Sequence, residues 1–246
     1  MAQAKATPAD PKGEKELEKI VRTHAGWSKI NSPGISIELR EIKVEPVPGR
    51  KMKVTYQLLA HGIPPDELLD VVQWPITAAE PSTMLHGASV LPSGLLACAG
   101  RKPGQCGDTS KPDDVLEFAL TGPTPGEPLR VAVANKRLRA TAIAIPLPIE
   151  GSDNGCTLSA VRLLPNFEIA YITGTGFPPN SEVHLDSLSL DEKLDQIFKT
   201  DANGNLGFVH LPSVEGHDSG TATIWSRDPK CQPSVRFDWG TRSAKK

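Results

Sequence analysis

The sequence predicts an all-β protein: two β-sandwich domains in tandem behind a short N-terminal helix. Three observations carry that expectation. Glycine and proline are abundant, with 21 and 23 among 246 residues. In helix interiors these residues cost about 1 and 3 kcal/mol each, so long bundles and coiled coils are excluded. Apolar residues alternate with polar ones in many short runs, the period of a half-buried strand. Aromatics make up 5% and hydrophobic residues 38%, enough for a core but one split between small units. The net charge of −2 argues against a global nucleic-acid footprint, and no apolar run is long enough for a transmembrane helix.

Residues 1–13 read as a flexible tail. In 14–26, Leu17, Ile20, Val21 and His24 fall on one face of a short amphipathic helix that Gly26 ends. Residues 27–148 form a β-rich domain. Ile35, Ile37 and Leu39 alternate with polar neighbours, and the turn Pro46-Val-Pro-Gly49 leads into a second strand with Met52, Val54, Tyr56 and Leu58 on one face. After Pro64 and Pro65, residues 66–72 are compatible with one or two helical turns. A looser stretch follows, then strands at 115–120, 129–134 and 139–145. Residues 149–155, with Gly151-Ser-Asp-Asn-Gly155, are expected to be the interdomain linker. In 156–240, about seven close-spaced short strands, with Asp201-Ala-Asn-Gly-Asn205 as a hairpin turn, suggest a Greek-key sandwich. Residues 241–246 form a tail.

The run Ile172-Thr-Gly-Thr-Gly-Phe-Pro-Pro-Asn-Ser-Glu-Val183 resembles the opening of immunoglobulin-like modules of the IPT/TIG type from bacterial envelope and secreted proteins, and 200–205 and 216–225 are similar to the same class. The resemblance covers 156–240 only. It implies an immunoglobulin-like sandwich there, with binding placed in loops or strand edges.

Cysteine usage points to an oxidising compartment. Cys98, Cys106, Cys156 and Cys231 include no Cys-x-x-Cys pair, which disfavours a zinc ribbon or dithiol redox site. Four cysteines allow three pairings. The turn-rich loop between Cys98 and Cys106 is easily closed by one bridge, which leaves Cys156 and Cys231 to tie the ends of the second half; the alternative is four reduced thiols. The small residues of Met1-Ala-Gln-Ala-Lys-Ala have no apolar segment before them, compatible with a mature exported chain. The expected location is periplasmic or extracellular.

Catalytic and cofactor motifs fail on inspection. Gly174-x-Gly176-x-x-Pro179 lacks the third glycine and the following helix of a dinucleotide site. Asp201-x-Asn203-x-Asn205 has Leu206 and Pro212 where a calcium loop needs glycine and glutamate. The six histidines have no metal-ligand spacing, although His184 and His210 both lie on expected strands. No Gly-x-Ser-x-Gly elbow is present. Asp186, Asp191, Glu192 and Asp195 form an acidic cluster read as a solvated loop, and Arg130, Lys136, Arg137 and Arg139 as a basic hairpin. Trp225 and Trp239 are expected in the second sandwich, and Trp74 is the candidate for an exposed ligand contact. The sequence therefore predicts a non-catalytic binding or structural module without cofactor or metal, taking a protein or glycan ligand. The alternatives are a hydrolase or carbohydrate-active enzyme using His61, Asp66, Glu67, Trp74, His86 and Asp108 in the 61–112 region, and a subunit of a surface assembly.

Overall fold

A computed structural model describes residues 26–49, 51–76, 80–98, 115–164 and 168–240. The expected helix at 14–26 and Cys106 lie outside these residues, except that Gly26 precedes a 3-10 turn at Trp27–Ile30. Everything else with regular structure among them is β-strand, in four antiparallel sheets.

The first pair of sheets is built from β1 (Ser36–Val47), β2 (Lys51–His61), β3 (Leu69–Gln73), β4 (Ser82–Val90), β5 (Leu96–Cys98), β6 (Glu117–Thr121), β7 (Leu129–Ala134) and β8 (Arg139–Ala144). One sheet has the order β1-β2-β6 and the other β5-β4-β3-β7-β8. The alternating residues Val54, Tyr56 and Leu58 of β2 face Leu69 and Val71 of β3 and Val131 and Val133 of β7 across one apolar core. Residues 66–72, expected as helical turns, instead enter β3, because Leu69 and Val71 are the β-phase positions that reach this core.

The second pair comprises β9 (Ile149–Asp153), β10 (Cys156–Leu163), β11 (Ile169–Thr175), β12 (Glu182–Ser189), β13 (Glu192–Lys199), β14 (Leu206–His210), β15 (Ser219–Ser226) and β16 (Ser234–Gly240). The sheets run β14-β11-β10-β9 and β13-β12-β15-β16 around a second core centred on the fully buried Trp239. The segment expected as linker is therefore largely a strand. Its glycines and polar residues suit β9 because it pairs with β10 while crossing β16 so closely that a Cβ on Gly151 would stand 1.8 Å from the Ser234 carbonyl oxygen. The join between the cores is shorter than expected: Leu147 packs on the first core and Ile149 on the second, with Pro148 alone between them.

The two halves repeat one connectivity. The order β1-β2-β6 in the first half corresponds to β10-β11-β14 in the second, where β9 is an added edge strand; β4-β3-β7-β8 corresponds to β13-β12-β15-β16, with β5 added in the first half. The repeat extends to register. Ser36 pairs with His61, and Thr157 with Thr175. Immediately after, Gly62-Ile-Pro-Pro-Asp66 matches Gly176-Phe-Pro-Pro-Asn180, and Ile63 and Phe177 are buried in their respective cores. Gly62 and Gly176 both have positive φ, +73 and +77, and a Cβ on either would lie 2.1 Å from the carbonyl oxygen of Gly34 or Gly155. Only glycine fits this crossing.

Cys156 and Cys231 form a disulfide, with Cα atoms 5.9 Å apart, that joins the start of β10 to the loop before β16 and so ties the second pair of sheets together. Closing a 75-residue separation stabilises by roughly 4 kcal/mol in the chain-entropy model. Cys98, at the end of β5, is buried and also disulfide-bonded.

The first prediction concerns the repeated crossing. Gly62→Ala and Gly176→Ala are each expected to cost about 2–4 kcal/mol in urea unfolding, strain plus clash, whereas Gly155→Ala, whose Cβ would meet nothing within 4 Å, costs about 1 kcal/mol. The second concerns His210, 4% exposed on β14, whose Nε2 has no hydrogen-bond partner among the described residues and whose ring lies edge-on to Phe237. Burial pushes its pKa down to about 4. The neutral ring is the folded form, so the unfolded chain binds the extra proton between an ordinary value near 6.5 and the folded value. Stability should fall by up to about 3 kcal/mol as pH drops from 6.5 to 4, and His210→Phe should flatten that loss in denaturation curves measured across the window.

Candidate functional site at the junction of the sheet pairs

The residues singled out in the sequence do not converge. Trp74 is half-buried on the outer face of the five-stranded sheet, with its ring 5.5 Å from that of Trp27 and the Arg130 guanidinium 5.0 Å over it. Trp27 is itself pinned, its indole N–H shared between the carbonyls of Val131 (3.2 Å) and Ala142 (3.1 Å). Trp74 thus belongs to a packed aromatic plate. Arg130, grouped in the sequence with the basic hairpin, is 8% exposed against this plate; burial lowers its pKa, and its Nε has no hydrogen-bond partner among the described residues. At the hairpin itself, Arg137 pairs with Glu67, and Arg139 donates to the Ile30 carbonyl at 2.9 Å.

Among the described residues of the hydrolase reading, Glu67 and His86 are held in local pairs. His61 and Asp66 are exposed around the turn after β2, Glu67 accepts from Asn135 and Arg137, and His86 pairs with Asp70 at 2.9 Å. Asp108 lies outside the described residues. His184 and His210 sit on opposite sheets. Asp186 is gripped by Arg227 and, at 3.0 Å, by Lys193, while Asp195 lies 3.1 Å from Arg227. The hydrogen bond from Arg227 holds the Asp186 carboxyl below its ordinary range. This cluster is an ion-pair lattice. Asp201 spends one carboxylate oxygen on the backbone N–H groups of Asn203 and Asn205, 2.8 Å each, which closes the hairpin turn. Among the described residues, no three His, Cys, Asp or Glu side chains gather as a metal site, and no helix is long and apolar enough to cross a membrane.

The concavity with converging polar groups lies where the two halves meet. A cleft of about 500 Å³ is walled on one side by Lys51 and Met52 of β2 and by Pro123–Pro125 after β6, and on the other by Ile149, Arg162, Arg236 and Asp238. Arg162 organises it. Its side chain, on β10, is 3% exposed; Nε donates to the Pro125 carbonyl at 2.6 Å and Nη1 to the Asp238 carbonyl at 2.7 Å. The Arg162 backbone N–H donates to the Gly126 carbonyl at 2.8 Å, and the Gly126 N–H donates to the Leu147 carbonyl at 2.7 Å. Gly126 has φ +76, and a Cβ there would stand 3.1 Å from the Ala160 carbonyl oxygen, so glycine suits the turn where it approaches β10. Burial pushes the Arg162 pKa down to about 10, opposed by the nearby Asp238 and Glu127 charges, and the side chain remains cationic at neutral pH.

Sequence reading missed Arg162, though a signal existed: it occupies the phase of the buried Leu158 and Ala160, a charge at a core position of an alternating strand. Neither family models nor curated proteins match the sequence.

The junction generates the third prediction. Arg162→Met keeps the volume but strands two carbonyls, each deprived of a charged donor worth about 1.5–3 kcal/mol. Calorimetry should show one unfolding transition for the natural chain and a lower, broadened or split transition for the variant.

Proposed function

We propose that the chain is a non-catalytic binding or structural module of an exported envelope-type protein: two immunoglobulin-like sandwiches in rigid tandem, with the junction groove as the ligand surface. The observation that supports this reading is the strand connectivity repeated in the two halves, an order compatible with a Greek-key sandwich. Gly62-Ile-Pro-Pro-Asp66 repeats in the first half the turn that Gly176-Phe-Pro-Pro-Asn180 makes in the second, where the IPT/TIG resemblance lies. The Cys156–Cys231 bridge favours an oxidising compartment. A non-catalytic role fits the engagement of Glu67 by Asn135 and Arg137, of His86 by Asp70, and the use of the buried cation Arg162 as a clamp.

The fourth prediction tests this. The full chain applied to peptide and glycan arrays should retain a defined ligand set and leave it chemically intact. Turnover of ester, glycoside or peptide reporters, abolished by substitution of one titratable residue, would overturn the reading in favour of an enzyme.

A further inference from the structure

We propose that the junction groove takes an extended acidic peptide segment; this rests on the binding-module reading above and names its ligand class. The 500 Å³ cleft adjoins a hollow of about 630 Å³ on the outer face of the β13-β12-β15-β16 sheet, and the two share Arg236 and Asp238 in their linings. The two concavities meet at Arg236 and Asp238 of β16, one reaching to the first half and the other lying on the second. Its charge is opposite to that of the chain: Lys51, Arg162 and Arg236 face one carboxylate, Asp238, in a protein of net charge −2. One Asp238 oxygen accepts the Thr221 hydroxyl at 2.8 Å. Among the described residues, neither Lys51 nor Arg236 has an ion-pair partner, and both are exposed.

The apolar lining favours a peptide. Leu188 and Leu190 stay 38% and 39% exposed in the second hollow, and Met52 and Leu147 line the first. These are seats for aliphatic side chains placed between cations that match carboxylates. A glycan of the same charge would want an exposed aromatic platform, and the one aromatic residue in the two linings, Phe237, is buried in the second core.

The test is fluorescence anisotropy of a labelled eight-residue peptide alternating glutamate with leucine, titrated with the full chain. Three comparators are its lysine-for-glutamate counterpart, an oligogalacturonate of equal charge, and the variants Arg236→Glu and Lys51→Glu, each checked for folding by circular dichroism. The acidic peptide should bind, weaken severalfold as salt rises from about 50 to 300 mM, and lose about tenfold in affinity with each charge reversal. Equal binding of the basic peptide, equal binding of oligogalacturonate, or indifference to Arg236→Glu would overturn the proposal. Should this peptide fail while the arrays retain another ligand, the ligand class falls and the binding-module reading stands; if neither assay retains anything, both fall.

Discussion

A single buried guanidinium fixes how the two halves of this protein meet. Arg162 is taken almost wholly out of water, a cost of several kcal/mol for an ion unless its donors find acceptors. It finds them on both sides of the junction, at Pro125 in the first half and Asp238 in the second. The linker reinforces this constraint. Leu147 and Ile149 are committed to different cores with one proline between them, about 7 Å of chain, so the halves have no slack in which to swing. Interdomain contacts of ordinary size permit relative motion by default; here the covalent tether and the buried charge act in the same place and oppose it.

That constraint is what gives the groove meaning. A cleft between freely jointed domains would open and close with their motion, and binding would have to fix its geometry at an entropic cost. With the junction fixed, Lys51 and Arg236, one from each half, hold a constant spacing, so a ligand of the proposed class would meet a preorganised surface. The repeated architecture supplies the frame cheaply in sequence terms. One crossing, in which a glycine passes beneath another glycine's carbonyl and is followed by a buried apolar residue and two prolines, is used twice, once in each pair of sheets.

Much of this was legible in the sequence, and the parts that were not have physical reasons. Alternation at Met52–Leu58 and the glycine- and proline-rich joins revealed the β class, because strand period and turn chemistry are local properties. The repeat was hidden because the halves share turn geometry and few identities: Gly62-Ile-Pro-Pro and Gly176-Phe-Pro-Pro are its clearest trace. Residues 149–153 read as a linker because Gly151, Ser152 and Asp153 are turn formers; they form β9 because a close crossing over Ser234 needs a small residue, a tertiary demand that overrides propensity. Trp74 looked available because its neighbours in sequence are polar or proline, while its neighbours in space are Trp27 and Arg130, both distant along the chain. The junction was least legible, since it joins positions 51, 125, 162 and 236, which no window or motif spans.

A junction clamped by Arg162 and tethered through Pro148 makes the two pairs of sheets one rigid body. Residual dipolar couplings of backbone amides in the weakly aligned full chain test it most directly. The account predicts that one alignment tensor fits the couplings from residues 36–144 and 149–240 together. Two tensors of clearly different magnitude or orientation would show the halves moving independently and would contradict it.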